Sequence, residues 1–284
     1  MKRTRAAVAK RARVTATVTP MHEPEQLEGG MGNGGQVVRI GDTVRRPAVA
    51  HSDVVAALLR GLAGQGFRAP VPLGSDTEGR LLFGWIDGRV PTPPYPQWSL
   101  TDGALASVGR LLRRYHEAVA ALQLPADLEW SEEMADPRGG PIICHNDICP
   151  ENVVFGEAAA LALLDFDFAA PGRAVWDLAQ TARMWIPLRP EEFNGDRAHL
   201  DPFRRLKVLA DAYGLDPVEH REFVEAIVES RRVAGRFVQR RVQAGEPAFI
   251  EAWERHGQEA GNAAILGWLE HNADAFLAAL TAGL

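Results

Sequence analysis

The chain has 284 residues, is 46% hydrophobic and carries a formal net charge of −6, enough to bury the core of one large domain or of two lobes. Its apolar runs are too short to span a bilayer, and the acidic balance argues against nucleic acid as a partner while suiting a cationic small molecule. Its two cysteines, Cys144 and Cys149, are spaced C-x-x-x-x-C, which fits no common zinc pattern and points to packing roles in a reducing cytoplasm.

Charge is unevenly spread. Lys2, Arg3, Arg5, Lys10, Arg11 and Arg13 crowd the first twenty residues with no acid among them. Removing those six positive charges from the net −6 leaves −12 for residues 21–284. Residues 1–21 lack the apolar core of a secretory signal and read as a disordered extension, or as sequence ahead of a true start at Met21. Gly30 to Gly35 satisfy G-x-G-x-x-G, but a strand, Val37 to Ile40, follows where a dinucleotide fold needs a helix. A glycine loop entering a strand is how kinases cover nucleotide phosphates, which makes Gly34 and Gly35 candidate nucleotide contacts.

Gly41-Asp42 supplies the turn into a second strand that ends Arg45-Arg46-Pro47. From Asp53 to Ala63, Val54, Val55, Leu58, Leu59 and Leu62 repeat at helical spacing, ended by Gly64 and Gly66. Leu81-Leu82-Phe83 reads as a buried strand, Gly84 to Gly88 as a hinge, and Pro91 to Pro96 as an extended connector. A capping pattern at Ser99 to Asp102 opens a long helix with a stripe of Leu105, Val108, Leu111, Leu112, Tyr115, Val119 and Leu122. His116 on that helix is expected to pack.

The chemistry is concentrated in His145-Asn146-Asp147-Ile148-Cys149-Pro150-Glu151-Asn152. Asp147 to Asn152 is the D-x-x-x-x-N interval of a kinase catalytic loop, with base and metal ligand on one irregular turn. Asn152 to Phe155 reads as one short strand and Leu161 to Leu164 as its return, so Asn152 and Asp165 meet at one end of a hairpin. An amide oxygen and a carboxylate suit Mg²⁺, which takes few protein ligands and completes its shell with phosphate and water. Asp147 is then the base for a substrate hydroxyl, and Asn152 and Asp165 the metal ligands. Asp167 reads as a second ligand or a solvated acid, and Asp177 as a helix cap or a tie for the loop. Downstream, residues 176–186, 201–213, 217–243 and 247–281 read as helices.

This segment resembles the aminoglycoside phosphotransferase and choline kinase superfamily, whose signature is H-x-D-x-x-x-x-N followed by an Asp after a hydrophobic strand. Trp176-Asp177-Leu178-Ala179 is similar to that family's D-L-A helix start. Val37 to Pro47 is similar to a hairpin of bacterial members, including trifolitoxin-immunity-like proteins. The resemblance implies a two-lobed protein-kinase-like α+β fold, with a small β-rich lobe over residues 22–88 and a mainly helical one over residues 89–284. It further implies ATP or GTP as phosphoryl donor, Mg²⁺ as cofactor, a small-molecule hydroxyl as acceptor, a brace role for His145 and a cytoplasmic setting. The pattern carries no signal for oligomeric state.

The chain departs from the pattern in its lysines. Lys2, Lys10 and Lys207 are the full set, and none stands where a kinase holds nucleotide phosphates. Arg45 is the expected substitute, with Arg46 as its neighbour, because alternation turns only one of them to the cleft. Two functions follow: a phosphotransferase acting on an aminoglycoside-like compound or amino-alcohol, or a weak or inactive kinase fold that binds a ligand or toxin. For a cationic substrate, Glu191, Glu192, Asp196, Glu225, Glu229 and Glu270 are the candidate attracting acids, and Trp185 and Trp268 the candidate stacking residues.

Overall fold

A five-stranded sheet with one helix comes first along this chain and a mainly helical part with two short strand pairs follows, so it forms two lobes. The computed structural model describes residues 23–27, 36–125, 127–157 and 159–282. The basic head and the glycine stretch with Gly34 and Gly35 lie outside the described residues. The first lobe contains β1 (Glu25–Gln26), β2 (Val38–Ile40), β3 (Thr43–Arg46), α1 (Ser52–Gly64), β4 (Pro72–Ser75) and β5 (Leu81–Gly84). Its strands form one antiparallel sheet in the order β1-β2-β3-β5-β4. Helix α1 turns Val55, Leu58, Leu59 and Leu62 inward, and these join a core that continues into the helical lobe through Leu105, Leu112, Leu206 and Phe223.

After β5 the chain passes close against the second lobe at Gly88. Its φ is +154°, and a Cβ there would lie 2.3 Å from Val154 Cγ1 and 2.7 Å from the Phe155 carbonyl oxygen. Only glycine tolerates that approach. It lets Arg89 and Phe155 exchange two backbone hydrogen bonds of 2.8 Å, which pin the connector to the strand beside the catalytic loop. Gly88→Ala is expected to cost roughly 1–3 kcal/mol, seen as a lower urea midpoint with an unchanged m value.

The second lobe begins with α2 (Asp102–Ala120), capped by Thr101 Oγ1, which accepts from the Ala104 N–H at 3.1 Å. Then come β6 (Ile142–Cys144), β7 (Val153–Phe155), β8 (Ala160–Leu163), β9 (Ala170–Gly172), α3 (Ala174–Trp185), α4 (Pro202–Tyr213) and α5 (His220–Gln243). Strand β6 pairs with β9 and β7 with β8, both antiparallel. The periodic stretch 247–281 is not one helix but three: α6 (Pro247–Arg255), α7 (Gln258–His271) and α8 (Ala273–Thr281). The first break falls at Gly257, which adopts φ +78°, a left-handed conformation that ends a helix without a Cβ penalty. Among the described residues no helix is long and apolar enough to cross a membrane.

Candidate active site

The loop after β6 is held from beneath. Asp177, in the first turn of α3, is fully buried, and its carboxylate accepts the backbone N–H groups of His145 at 2.7 Å and Asn146 at 2.8 Å. It is a loop tie and makes no cap hydrogen bond to its own helix. His116 Nε2 lies 3.0 Å from the same carboxylate, and His116 Nδ1 lies 2.7 Å from Tyr213 Oη. Asn146 takes φ +66°, a region Asn tolerates better than most residues. Its side chain accepts from Trp176 Nε1 at 3.0 Å and donates to the Phe168 carbonyl at 2.8 Å.

His145 links the two halves of the site. Its Nδ1 accepts the Asp147 N–H at 3.3 Å, so Nε2 carries the proton and donates to the Leu164 carbonyl at 2.9 Å. Burial holds its pKa below the ordinary value and favours this neutral form. The Leu164 N–H in turn donates to the Asn152 carbonyl at 2.8 Å. Asp165, at φ +55°, therefore follows directly on a contact with Asn152.

Asn152 Nδ2 donates to the Asp147 carbonyl at 2.9 Å and to Asp147 Oδ2 at 3.0 Å. This orientation leaves the Asn152 side-chain oxygen as an acceptor free for a cation. Asp147 is half-buried, and its pKa is pushed up to about 7, first by burial and then by the negative charge of Asp165. Arg183 and the Asn152 hydrogen bond pull the other way. A carboxylate whose charge is opposed by burial and by a neighbouring acid, beside an amide oxygen, belongs to a set that a hard divalent cation would relieve.

Arg46 fills part of that space. Its Nη1 is 3.2 Å from Asp165 Oδ1, and its Nη2 pairs with Asp167 Oδ2. Burial works against its charge, and the two acids more than offset that, so its pKa is raised. Asp167 is pushed up by burial and then by Asp165. Arg45 and Arg46 stand opposite Leu82 and Leu81 of β5, and consecutive strand residues point to opposite faces. Arg45 makes no ion pair among the described residues, and its Nε is buried without a partner. The structure thus brings Asp147, Asn152, Asp165 and Arg46 together and leaves Arg45 on the other face.

Two contacts escape sequence inspection. Tyr95, from the proline-rich connector, donates to Glu151 at 2.9 Å, across a gap in sequence that no local pattern bridges. Arg183 lies near enough to act on Asp147, and its signal was the i, i+3 ladder Asp177, Gln180, Arg183 on α3. Neither tryptophan offered for stacking is free: Trp185 is buried and donates to the Ile148 carbonyl at 2.8 Å, and Trp268 packs on Phe276.

Comparison with known proteins fits this geometry. Residues 120–209 match the model of the phosphotransferase enzyme family. The trifolitoxin immunity protein of Rhizobium leguminosarum bv. trifolii is 30% identical over 201 residues, 68% of this chain and 75% of that protein. A choline/ethanolamine kinase family protein from Mesorhizobium loti superposes with a TM-score of 0.59 at 19% identity, over 93% of this chain and 94% of that one. The amicoumacin kinase hAmiN, solved with AMP-PNP, Ca²⁺ and Ami, does so with a TM-score of 0.56 at 11% identity, over 89% and 88%. The chain belongs to the phosphotransferase enzyme family and has the two-lobed, protein-kinase-like fold of the choline kinases and aminoglycoside phosphotransferases.

Proposed function

We propose that this protein transfers the γ-phosphoryl group of ATP or GTP to a hydroxyl of a small molecule. The observation that carries this reading is the contact of Asp147 with Asn152, whose backbone carbonyl accepts from Leu164, the residue before Asp165. Among the described residues no group of three or more His, Cys, Asp or Glu side chains gathers as a resident metal site. Mg²⁺ arriving with a nucleotide suits an all-oxygen set this small, and Asn152 and Asp165 would hold it. When bound, it would neutralise charge on the phosphates.

The remaining work falls to this chain's own groups. An Asp147 carboxylate oxygen orients the acceptor hydroxyl and takes its proton as the hydroxyl oxygen bonds to the γ-phosphorus and the nucleoside diphosphate leaves. Arg46 moves from Asp165 and Asp167 onto phosphate oxygens, which a guanidinium can grip bidentately. Gly34 and Gly35 would add backbone N–H contacts to the phosphates, while Arg45, on the other face of the strand, has no part in this step.

A second reading is a kinase fold that binds a ligand or toxin without turnover. Two observations favour it: the relative described as an immunity protein, and the ion pairs that close Arg46 over Asp165 and Asp167. Melting curves with Mg²⁺–ATP, Mg²⁺–GTP and EDTA separate the two. A nucleotide at 100 times its Kd stabilises the fold by about 2.7 kcal/mol, and the first reading expects a rise that EDTA removes. Arg46→Ala is expected to weaken nucleotide binding by at least ~10-fold if Arg46 clamps phosphate. Tighter binding in that variant, or no magnesium-dependent rise in the wild type, would favour the second reading.

A further inference from the structure

On the helical side of Asp147, four arginines gather without an acid to match them. Arg183 is on α3, Arg189 and Arg197 follow it, and Arg231 is on α5. Arg231 and Arg189 both act electrostatically on Arg183, as Arg197 and Arg231 do on Arg189. None of the four forms an ion pair with a carboxylate among the described residues. Arg183 donates to Gln180 at 2.8 Å, Arg197 to the Met184 carbonyl at 2.7 Å, and Arg231 to Asn262 at 2.6 Å. The Nε groups of Arg183 and Arg231 are buried with no partner at all. Elsewhere in the lobe half-buried Arg173 pairs with Asp136 and Glu222, and buried Arg205 pairs with Asp102, although its Nε too lacks a partner.

All four arginines of the cluster are half-buried, and charge drawn partly out of water without an opposite charge is costly unless a ligand supplies one. Burial, and then repulsion from neighbouring arginines, pulls Arg183 and Arg189 each down to about 10, so both remain charged at neutral pH. The nearby acids do not cancel the cluster. Asp147 acts on Arg183, but Glu151 is engaged by Tyr95. Arg231 and Arg189 feel no carboxylate of note.

We propose that the acceptor is a small hydroxy compound bearing a carboxylate or phosphate group, which Arg183, Arg189 and Arg231 hold while its hydroxyl lies at Asp147. This inference rests on the phosphotransferase reading above and runs opposite to the preference for cations that the net charge predicts. The acids named for a cationic substrate do not form a site. Glu191, Glu192 and Glu225 are exposed, Asp196 accepts the Tyr95 N–H, Glu229 pairs with Arg138 and Arg173, and Glu270 pairs with Arg232. Planar guanidinium groups suit both carboxylate and phosphate oxygens.

The test is calorimetric titration of the full chain, saturated with Mg²⁺–AMP-PNP at fixed ionic strength, with glycerol, D-glycerate, glycerol 3-phosphate and choline. One of the two anions is expected to bind at least ~10-fold more tightly than glycerol or choline, and which one it is separates carboxylate from phosphate. Arg183→Gln and Arg231→Gln are each expected to remove about tenfold of that affinity, with nucleotide titration of the same variants reporting that they are folded. Absence of any anion preference, preference for choline, or a preference undiminished in both variants overturns the proposal. Nucleotide binding without anion preference would remove this inference and leave the phosphotransferase reading standing. Anion binding by a protein that does not take AMP-PNP would do the reverse.

Discussion

Replacing Asp147 with Asn is expected to lower turnover by at least ~10²-fold, the scale of a positioned acid–base group, while making the protein more stable at neutral pH. The shape is retained, and Asn152 Nδ2 keeps an oxygen to donate to. What disappears is a negative charge that burial and Asp165 both oppose. The sign follows from proton uptake. Between the ordinary value of 3.8 and about 7, the folded state holds a proton at Asp147 that the unfolded state has released, so wild-type stability falls as pH rises through that window. Asn cannot titrate, and the gap in Tm between variant and wild type should open from about pH 4 and level off above about pH 7. Three pKa units correspond to about 4 kcal/mol, and water at this half-buried group reduces that to on the order of 1–3 kcal/mol, a few degrees for a domain of this size. Wild-type turnover in the variant removes Asp147 from the chemistry. A Tm gap independent of pH removes the account of its charge.

The interval from Asp147 to Asn152 and the strand pair leading to Asp165 were legible because all three groups lie within nineteen residues of one another. Local turns and a short hairpin position them, and local sequence encodes both. The two-lobed fold was legible through the family resemblance, and the helices within it through their 3.6-residue period. Arg46 was harder to single out from Arg45, because a strand residue's face depends on register and a shift of one reverses it. The pairing of β6 with β9 is a contact between Cys144 and Ala170 that no short-range pattern announces. The break at Gly257 was hidden because apolar spacing continues across it. The arginine cluster was least visible of all: Arg183, Arg189, Arg197 and Arg231 are dispersed over three segments, and a net charge averages them into an acidic chain.

Asp177→Ala is expected to be the most damaging single change for stability, at roughly 3–5 kcal/mol, because several buried donors lose their one carboxylate acceptor at once. The loss would take a large share of a total that is usually about 5–15 kcal/mol. Asp177 gathers two backbone N–H groups and one imidazole, and truncation leaves all three in the interior without an acceptor. The damage also spreads through the fold, because the chain Tyr213, His116, Asp177 joins α4, α2 and α3 beneath the catalytic loop. Burial alone would raise the pKa of Asp177, but its hydrogen bond and attraction to His116 and the His145 N–H reverse the direction and hold it below 3.8. Its contribution is therefore present above that ordinary value and is lost as pH falls through the lower folded one. Wild type should show this acid limb in a plot of Tm against pH, and Asp177→Asn should lack it. The same Asn variant keeps an acceptor for one N–H but turns an amide NH₂ toward the other. The loop two residues before Asp147 then shifts, and turnover should fall along with stability. A wild-type Tm for Asp177→Ala would mean that the loop is held by something else, and the placement of Asp147 would need another explanation.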